Sequence, residues 1–233
     1  MQPYSDYCPI AMANEVIGDR WSPLVLREII VGSHRFNDIH RGIPRISRSL
    51  LAQRLRLLER NGLVERHPIE GTQAVEYVLT PAGEDLAPVL VELGRWATRW
   101  TFGDPTDDQL DTAHLVWRLH QTTNPDQAPR ERTTVEFRTR GPGAGRAWLV
   151  FQDGSSTACQ IDPGYEPDLF VHADNRALHR WFMGRATWRE VRDTGDVDVL
   201  GPRALTRAFP TWFHPSKFHA DVQRASRTRT AAR

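Results

Sequence analysis

The sequence predicts an α+β fold in two domains, a mainly helical one first and a mixed helix-and-strand one after it. The first is indicated by an arginine-rich amphipathic segment, ISRSLLAQRLRLLER, followed directly by two strand-like runs. A break of glycine, proline and three acids, GDPTDD at residues 103–108, then interrupts the periodic pattern. We predict domains at 1–102 and 108–222, a linker at 103–107, and a basic, disordered tail at 223–233.

Bulk properties indicate an ordinary soluble protein. The chain has 233 residues, of which 39% are hydrophobic and 25% charged. No apolar run approaches the roughly 18 residues that a membrane span needs, and MQPYSDYCPI lacks the order of a signal peptide. Cys8 and Cys159 suggest neither a disulfide nor a zinc site. We expect a cytoplasmic location, reduced thiols, no metal, no cofactor and no membrane partner.

Start and stop signals predict the elements of the first domain. Ser22 is predicted to cap the second helix and Ser47 the fourth, and glycines end most of them. The predicted helices cover about residues 9–18, 23–31, 35–43 and 48–61. Two strands follow at 63–69 and 74–79, joined at EGTQ, and Thr80-Pro81 begins a helix that reaches about Phe102.

The fourth helix has one apolar and one polar face. Leu51, Leu55 and Leu58 recur at helical spacing, while the opposite face carries hydrogen-bonding side chains. Between residues 35 and 66, eight arginines accompany only three carboxylates, although the whole chain carries a net charge of +1. This local excess points to an anionic partner, and a solvated basic helix face is the alternative.

A helix-turn-helix followed by a two-stranded wing is the order of a winged helix-turn-helix, whose exposed helix fits the major groove of DNA. Glutamine can pair with adenine and arginine with guanine, while arginines on the preceding helix and turn suit phosphates. The predicted DNA contacts are Arg35, Arg41, Arg45, Ser47, Arg48, Ser49, Gln53, Arg54, Arg56 and Thr72.

Specific motifs sharpen this prediction. Cys8-Pro9, the turn GDRW at 18–21, LRE at 26–28, Arg35-Phe36 and Ile46-Ser47, together with EYVLTPAGEDL and LGRW, resemble the winged-helix transcription regulators of the HxlR type over roughly residues 7–100. The resemblance implies a homodimer that binds an inverted-repeat DNA operator. It also makes Cys8 a redox candidate, because the cysteine at this place is a redox switch in some relatives. A small buried hydrophobic side chain is the alternative for Cys8.

The helix after the wing carries an apolar stripe at helical spacing, which fits the implied dimer. Packing onto the helix's own domain is the alternative, but two tryptophans near its end exceed what so small a core needs. The predicted dimer residues are Leu86, Leu90, Leu93, Trp96 and Trp100, and Val89 belongs to the same stripe.

The second half resembles the sterol-carrier-protein type 2 fold in its order of elements. A helix and strands lead to DLFVHA, two short helices and the strand GDVDVLG. The resemblance implies an apolar tunnel for a lipophilic or aromatic small-molecule effector. Each aromatic side chain here could equally belong to a packed core. The candidate ligand-binding residues are Trp117, Trp148, Phe151, Phe170, Trp181, Phe182, Trp188, Trp212 and Phe213.

Catalytic patterns are weak. GPGAGR lacks the lysine and hydroxyl ending of a phosphate loop, no Gly-x-Ser-x-Gly occurs, and the nine histidines lack metal-ligand spacing. We expect no enzyme, but a dimeric, ligand-responsive transcription regulator. The alternatives are a regulator switched by Cys8 oxidation with a structural second domain, and a lipid-carrier or small-molecule-processing protein whose winged helix only assembles complexes.

Overall fold

The computed structural model describes the backbone of residues 7–231 and side chains as far as residue 228. The chain divides into two compact units, Met1–Leu93 and Gly94–Arg233. Each unit has its own hydrophobic core. Helices dominate the first unit and a five-stranded sheet organises the second, so the predicted α+β class is confirmed.

The first unit is built from short helices and a two-stranded antiparallel sheet. Its helices are α1 (Pro9–Ile17), α2 (Ser22–Ile30), α3 (Phe36–Gly42), α4 (Arg48–Arg60) and α5 (Pro81–Glu84), and its strands are β1 (Val64–Pro68) and β2 (Val75–Leu79). Helix α6 (Leu86–Trp100) begins in the first unit and ends in the second. Leu26, Ile39, Leu51 and Leu55 form the centre of the core.

One of the two predicted serine caps is wrong. Ser47 caps α4 as predicted, because its Oγ accepts from the Leu50 amide at 3.2 Å. Ser22 is instead the first residue of α2, and its hydroxyl donates to Asp19. Asp19 also accepts the Trp21 amide at 2.8 Å and the Ser22 amide at 3.1 Å. The carboxylate therefore satisfies the free N–H groups that a capping serine was expected to take.

The single helix predicted from Pro81 to Phe102 is also wrong, because the structure has α5 and α6 with a break at Asp85. Pro88 provides the physical reason. A proline ring clashes with the carbonyl four residues earlier, here that of Glu84, and proline has no N–H to bond to it. A continuous helix would need free space beside the Glu84 carbonyl and an N–H group at residue 88, and proline provides neither.

The second unit contains a five-stranded sheet and helices of 6 to 13 residues. Its elements are α7 (Thr112–Gln121), β3 (Thr133–Arg140), β4 (Arg146–Gln152), β5 (Ser155–Cys159), β6 (Leu169–Asp174), α8 (Asn175–Phe182), α9 (Trp188–Asp193), β7 (Val197–Leu200), α10 (Arg203–Ala208) and α11 (His219–Ala231), with short 3-10 turns at Asp107–Gln109 and Phe209–Trp212. The strand order is β5-β4-β3-β6-β7, with β3 parallel to β6 and the other pairs antiparallel.

Aromatic side chains fill one side of this sheet. Phe151 of β4 packs edge-on against Trp212, with ring centroids 5.1 Å apart, and lies near Phe213. Trp181 and Trp188 meet at 4.8 Å and are partly buried against the same core. These rings contact one another, so they form a packed aromatic core in this structure. Phe182 is also partly buried against it.

The structure does not bring all nine candidate ligand-binding residues together. Trp148 and Phe170 are both register partners of Glu136, and strand alternation places them on the face opposite Phe151. Both lie outside the core that contains Phe151. Trp117 is buried outside that core as well. The nine side chains therefore do not line a single chamber in this fold.

Glu136 anchors a charged cluster on that opposite face. Its buried carboxylate accepts from Arg138 Nε at 2.5 Å and from Arg146 Nε at 2.7 Å. The Arg138 hydrogen bond lowers the pKa of Glu136 below its ordinary value, with a further contribution from Arg146. The two guanidinium groups stack on Phe170 and Trp148, at 5.5 and 5.1 Å from the ring centroids. The side chains of Arg138 and Arg146 therefore cover the charged carboxylate of Glu136.

The two units divide earlier than the predicted linker. Residues 103–106 are irregular, and the division falls inside α6, after Leu93. The later turns of α6 pack within the second unit, since a β-carbon on Gly94 would lie 2.3 Å from the Phe218 ring. Arg95 also pairs with Asp221 at 3.6 Å.

The predicted disordered tail is wrong as far as residue 231. Residues 219–231 form α11, and the remaining two residues, 232 and 233, lie outside the described part. Val222 is buried, and Asp221 pairs with Arg95. Burial of this first turn stabilises a helix whose basic, low-complexity composition alone does not require one.

Candidate nucleic-acid interface

Helix α4 presents a polar face because its leucines are buried on the other. Leu51, Leu55 and Leu58 are at most 1% exposed. Around the opposite side, Ser49, Gln53 and Arg56 are exposed. The helical spacing predicted one buried apolar face and one exposed polar face, and α4 has both. Amide, hydroxyl and guanidinium groups on one exposed helix face are the donors and acceptors that base edges require.

The N-terminal end of α4 is held in a defined geometry. The Ser47 hydroxyl, besides capping the helix, lies 3.2 Å from Ser49 Oγ. Arg48 Nη2 donates to Asn37 Oδ1 at 2.8 Å, and the guanidinium lies 5.0 Å from the Phe36 ring centroid. Helix α3 therefore positions Arg48, and this order reduces the entropy that the side chain would lose on binding a ligand.

Arg54 differs from the other predicted DNA contacts. Its Nε lies 3.3 Å from Asp19 Oδ1, and its side chain is only 28% exposed. The same Asp19 caps α2, so the ion pair connects the start of α2 to the middle of α4. Arg54 thus contacts the protein's own framework. No local pattern revealed this, because Asp19 and Arg54 are 35 positions apart in the chain.

Three further arginines surround the turn and helix that precede α4. Arg35, Arg41 and Arg45 are exposed. Arg41 Nη1 lies 3.5 Å from Asp38 Oδ1, and Arg35 forms a backbone bridge with Glu76 of the wing strand. These positions suit contacts to phosphates, which need positive charge more than fixed geometry.

The wing ends in a tight turn. Gly71 has a φ of +74°, a left-handed value that favours glycine. Thr72 Oγ1 donates to the Ile69 carbonyl and accepts from the Ala74 amide, both at 3.1 Å. The hydroxyl that was predicted to contact DNA therefore stabilises the turn, although Thr72 remains exposed.

A buried charge joins α2 to α3. Glu28 is 0% exposed, and Arg27 Nη2 donates to its carboxylate at 2.6 Å and to the Gly42 carbonyl at 3.2 Å. Gly42 packs so closely that a β-carbon there would lie 1.8 Å from Glu28 Oε2. Glycine is required at this position because the two helices meet there.

Sequence reasoning did not identify several residues of this region. Asp19 and Asn37, which hold Arg54 and Arg48, were not predicted. Arg60 and Arg66 are exposed on α4 and β1 and extend the basic surface. The excess of arginine between residues 35 and 66 could have indicated both Arg60 and Arg66 as part of this surface.

The predicted dimer residues fall into two groups. Leu86 and Leu90 are partly buried against the core of the first unit, which is the alternative that their spacing left open. Leu93, Trp96 and Trp100 are 56%, 50% and 71% exposed. The exposed group, with Val89 at 51%, forms an apolar surface on α6.

The redox candidate lies at the start of α1. Cys8 takes the N-cap position, is partly exposed, and is not in a disulfide. Arg20, a basic residue close to Cys8 in the sequence, places its guanidinium 5.0 Å from the Trp21 ring centroid.

Part of the chain is similar to known sequences. The profile described as HxlR-like helix-turn-helix matches residues 16–104. The transcriptional regulator YvaP of Bacillus subtilis (strain 168), itself described as uncharacterized, is 39% identical over 98 residues, which span 41% of this chain and 91% of YvaP. The chain belongs to the HxlR family. Another relative, the HTH-type transcriptional regulator YodB of the same organism, is 38% identical over 102 residues, 43% of this chain and 89% of YodB.

Solved structures of other regulators also resemble about two fifths of this chain. The reduced form of YodB is 37% identical with a TM-score of 0.37, over 41% of this chain and 96% of that one. The redox regulator HypR in its reduced form is 33% identical, also with a TM-score of 0.37, over 39% of this chain and 90% of that one. The helix-turn-helix profile and the sequence similarity to the regulators YvaP and YodB show that this chain is a helix-turn-helix transcription regulator of the HxlR family, for which DNA is the implied partner.

The described residues contain neither a candidate membrane span nor a candidate metal site. No helix within residues 7–231 has both the length and the apolar character that a membrane crossing requires. No three His, Cys, Asp or Glu side chains in that range come together as a possible metal site.

Proposed function

We propose that this HxlR-family protein acts as a homodimer on an inverted-repeat DNA operator, with α4 of each protomer in the major groove. The polar face of α4 carries the proposal, since Arg48, Ser49, Gln53 and Arg56 are exposed opposite a buried row of leucines. Arg35, Arg41 and Arg45 supply the phosphate contacts. A second copy is needed because inverted half-sites are read by two related helices.

Alanine substitution tests the position of α4. Gln53→Ala and Arg56→Ala are each expected to weaken specific operator binding by about 1–3 kcal/mol, because each removes a base-edge contact. Arg41→Ala is expected to weaken all DNA sequences similarly and to reduce the salt dependence. Operator titrations at several salt concentrations measure both effects.

Two other arginines serve as controls. Arg54→Ala removes the ion pair to Asp19, so we expect lower stability of the first unit with little loss of base discrimination. Arg189→Ala alters an 89% exposed side chain in the second unit and is expected to leave binding unchanged. Wild-type operator affinity in both the Gln53 and the Arg56 variants would contradict the position of α4 in the groove.

We further propose that the second unit is a sterol-carrier-like domain that binds a lipophilic or aromatic effector. A sheet covered on one side by an aromatic core supports this, and Trp181, Phe182 and Trp188 lie at its partly exposed edge. A ligand that enters between Trp181 and Trp188 would separate rings that now meet at 4.8 Å. It can alter DNA affinity only if it binds one dimer geometry better than the other.

A second candidate is a thiol switch, favoured by the partly exposed Cys8 at the start of α1. One similar protein, HypR, is described as a redox regulator, which supports this candidate. In this candidate oxidation of the Cys8 thiolate would change DNA binding, and the second unit would be structural.

One set of titrations separates the two candidates. We expect a panel of lipophilic and aromatic compounds to contain one that changes operator affinity about 5–150-fold, the usual range of allosteric coupling. Trp188→Ala is expected to reduce that response, and Trp21→Ala in the first unit to retain it. A response to diamide instead, lost in Cys8→Ser and kept in Cys159→Ser, would favour the thiol switch and contradict the effector proposal.

A further inference from the structure

A groove lies in the first unit, between α2, β2 and the beginning of α6. Its volume is about 350 Å³, within the range of small-molecule sites. The apolar walls come from Ile29 and Ile30 of α2, Val78 and Leu79 of β2, and Ala87 of α6. His34 and Glu84 are the polar side chains that line it.

Both polar groups can accept a hydrogen bond from a ligand. His34 Nδ1 lies 3.0 Å from the Tyr77 carbonyl oxygen, which can only accept, so Nδ1 carries a proton. In the neutral ring this leaves Nε2 as the acceptor. The Tyr77 amide donates to the His34 carbonyl at 2.7 Å, which holds the residue in place. The Glu84 carboxylate has no ion-pair partner among the side chains described, through residue 228.

Two acceptors, one of them anionic, at the side of an apolar groove favour a ligand with a cationic donor. We infer that this groove binds a small alkyl or arylalkyl amine. Its ammonium group would donate to Glu84 and His34, and its hydrocarbon part would cover the isoleucine, valine and leucine side chains. A carboxylic acid of the same shape would be repelled by Glu84. For a ligand of this size we expect a Kd of about 0.1–1 mM.

The same groove adjoins the wing. Val78 and Leu79 belong to β2, the strand that pairs with β1 to form the wing. A bound amine would therefore contact a wing strand directly and is expected to alter operator affinity. That consequence rests on the proposed function, whereas binding of the amine does not. Because linkage is reciprocal, operator DNA would change the amine affinity by the same factor.

The probe is 2-phenylethylamine, compared with 2-phenylethanol and phenylacetate on the full-length protein. Methyl NMR shifts are expected to change at Ile29, Ile30, Val78 and Leu79, with the amine tightest and the acid weakest. Ala87→Phe fills the groove and is expected to weaken amine binding about tenfold or more. Ala82→Phe, at an exposed position outside the groove, is the matched control.

Charge removal provides an independent test that does not depend on packing. Glu84→Gln is expected to weaken the amine about three- to fivefold and to leave the alcohol unchanged. Asp85→Asn removes a neighbouring exposed carboxylate and is expected to have no effect. Equal binding of all three probes, shifts centred elsewhere, or binding only by a monomeric variant would each overturn the inference. Amine binding without any change in operator affinity would instead contradict only its link to the wing.

Discussion

A protein with Leu93→Asp and Trp96→Asp is expected to be a folded monomer that no longer binds its operator. Both side chains are at least half exposed in the protomer, so the substitutions bury no charge within it. In the proposed dimer the same charges would be buried unpaired, which is strongly unfavourable. Loss of the second half-site contact is expected to lower operator affinity by about 100-fold or more.

Light scattering and operator titration measure the two parts of this prediction. Circular dichroism verifies that the variant is folded. Ile161→Asp is the matched control, because Ile161 is an 83% exposed apolar side chain in the second unit. A dimer of normal operator affinity that carries both aspartates would disprove the assignment of α6 to the interface.

Gly42→Ala is expected to destabilise the helix-turn-helix by about 2–4 kcal/mol, because the new methyl group would overlap a buried, charged carboxylate. The β-carbon would lie 1.8 Å from Glu28 Oε2 and 2.2 Å from its Cδ. To relieve the overlap, α3 must move or the ion pair with Arg27 must break. Either change displaces α4 and is expected to weaken operator binding as well.

Hydrogen exchange of the α2 and α4 amides measures this effect within the full-length protein. Gly103→Ala is the control, since nothing lies within 4 Å of a β-carbon there. The double variant Glu28→Ala, Gly42→Ala tests the cause, because removal of the carboxylate also removes the overlap. Additive effects of the two substitutions would show that the overlap is not responsible.

Much of the fold was predictable from local signals. Ser47 caps α4 as expected, and β1 and β2 lie within the strand runs predicted at 63–69 and 74–79. Where prediction failed, one missed signal was local too: Pro88 implied a break near Glu84. The capping role of Asp19 was a further missed local signal.

The DNA-binding region divides in the same way. The leucine spacing of α4 alone determined which side chains are exposed, because the period of a helix relates neighbours three and four residues apart. It could not reveal that Arg54 pairs with Asp19 or that Asn37 holds Arg48. Those pairs join residues on different helices, and their distances depend on how the helices pack.

The second unit illustrates the same limit. Its sequence determined where the strands lie and that the region is rich in aromatic side chains. Only the tertiary structure decided that Phe151 joins Trp212 in one core while Trp148 and Phe170 lie on the opposite face with Glu136. Alternation along a strand separates two faces, but which helices cover which face depends on the path of the whole chain. Likewise, α11 owes its order to burial of Val222, a long-range contact that a low-complexity basic sequence does not encode.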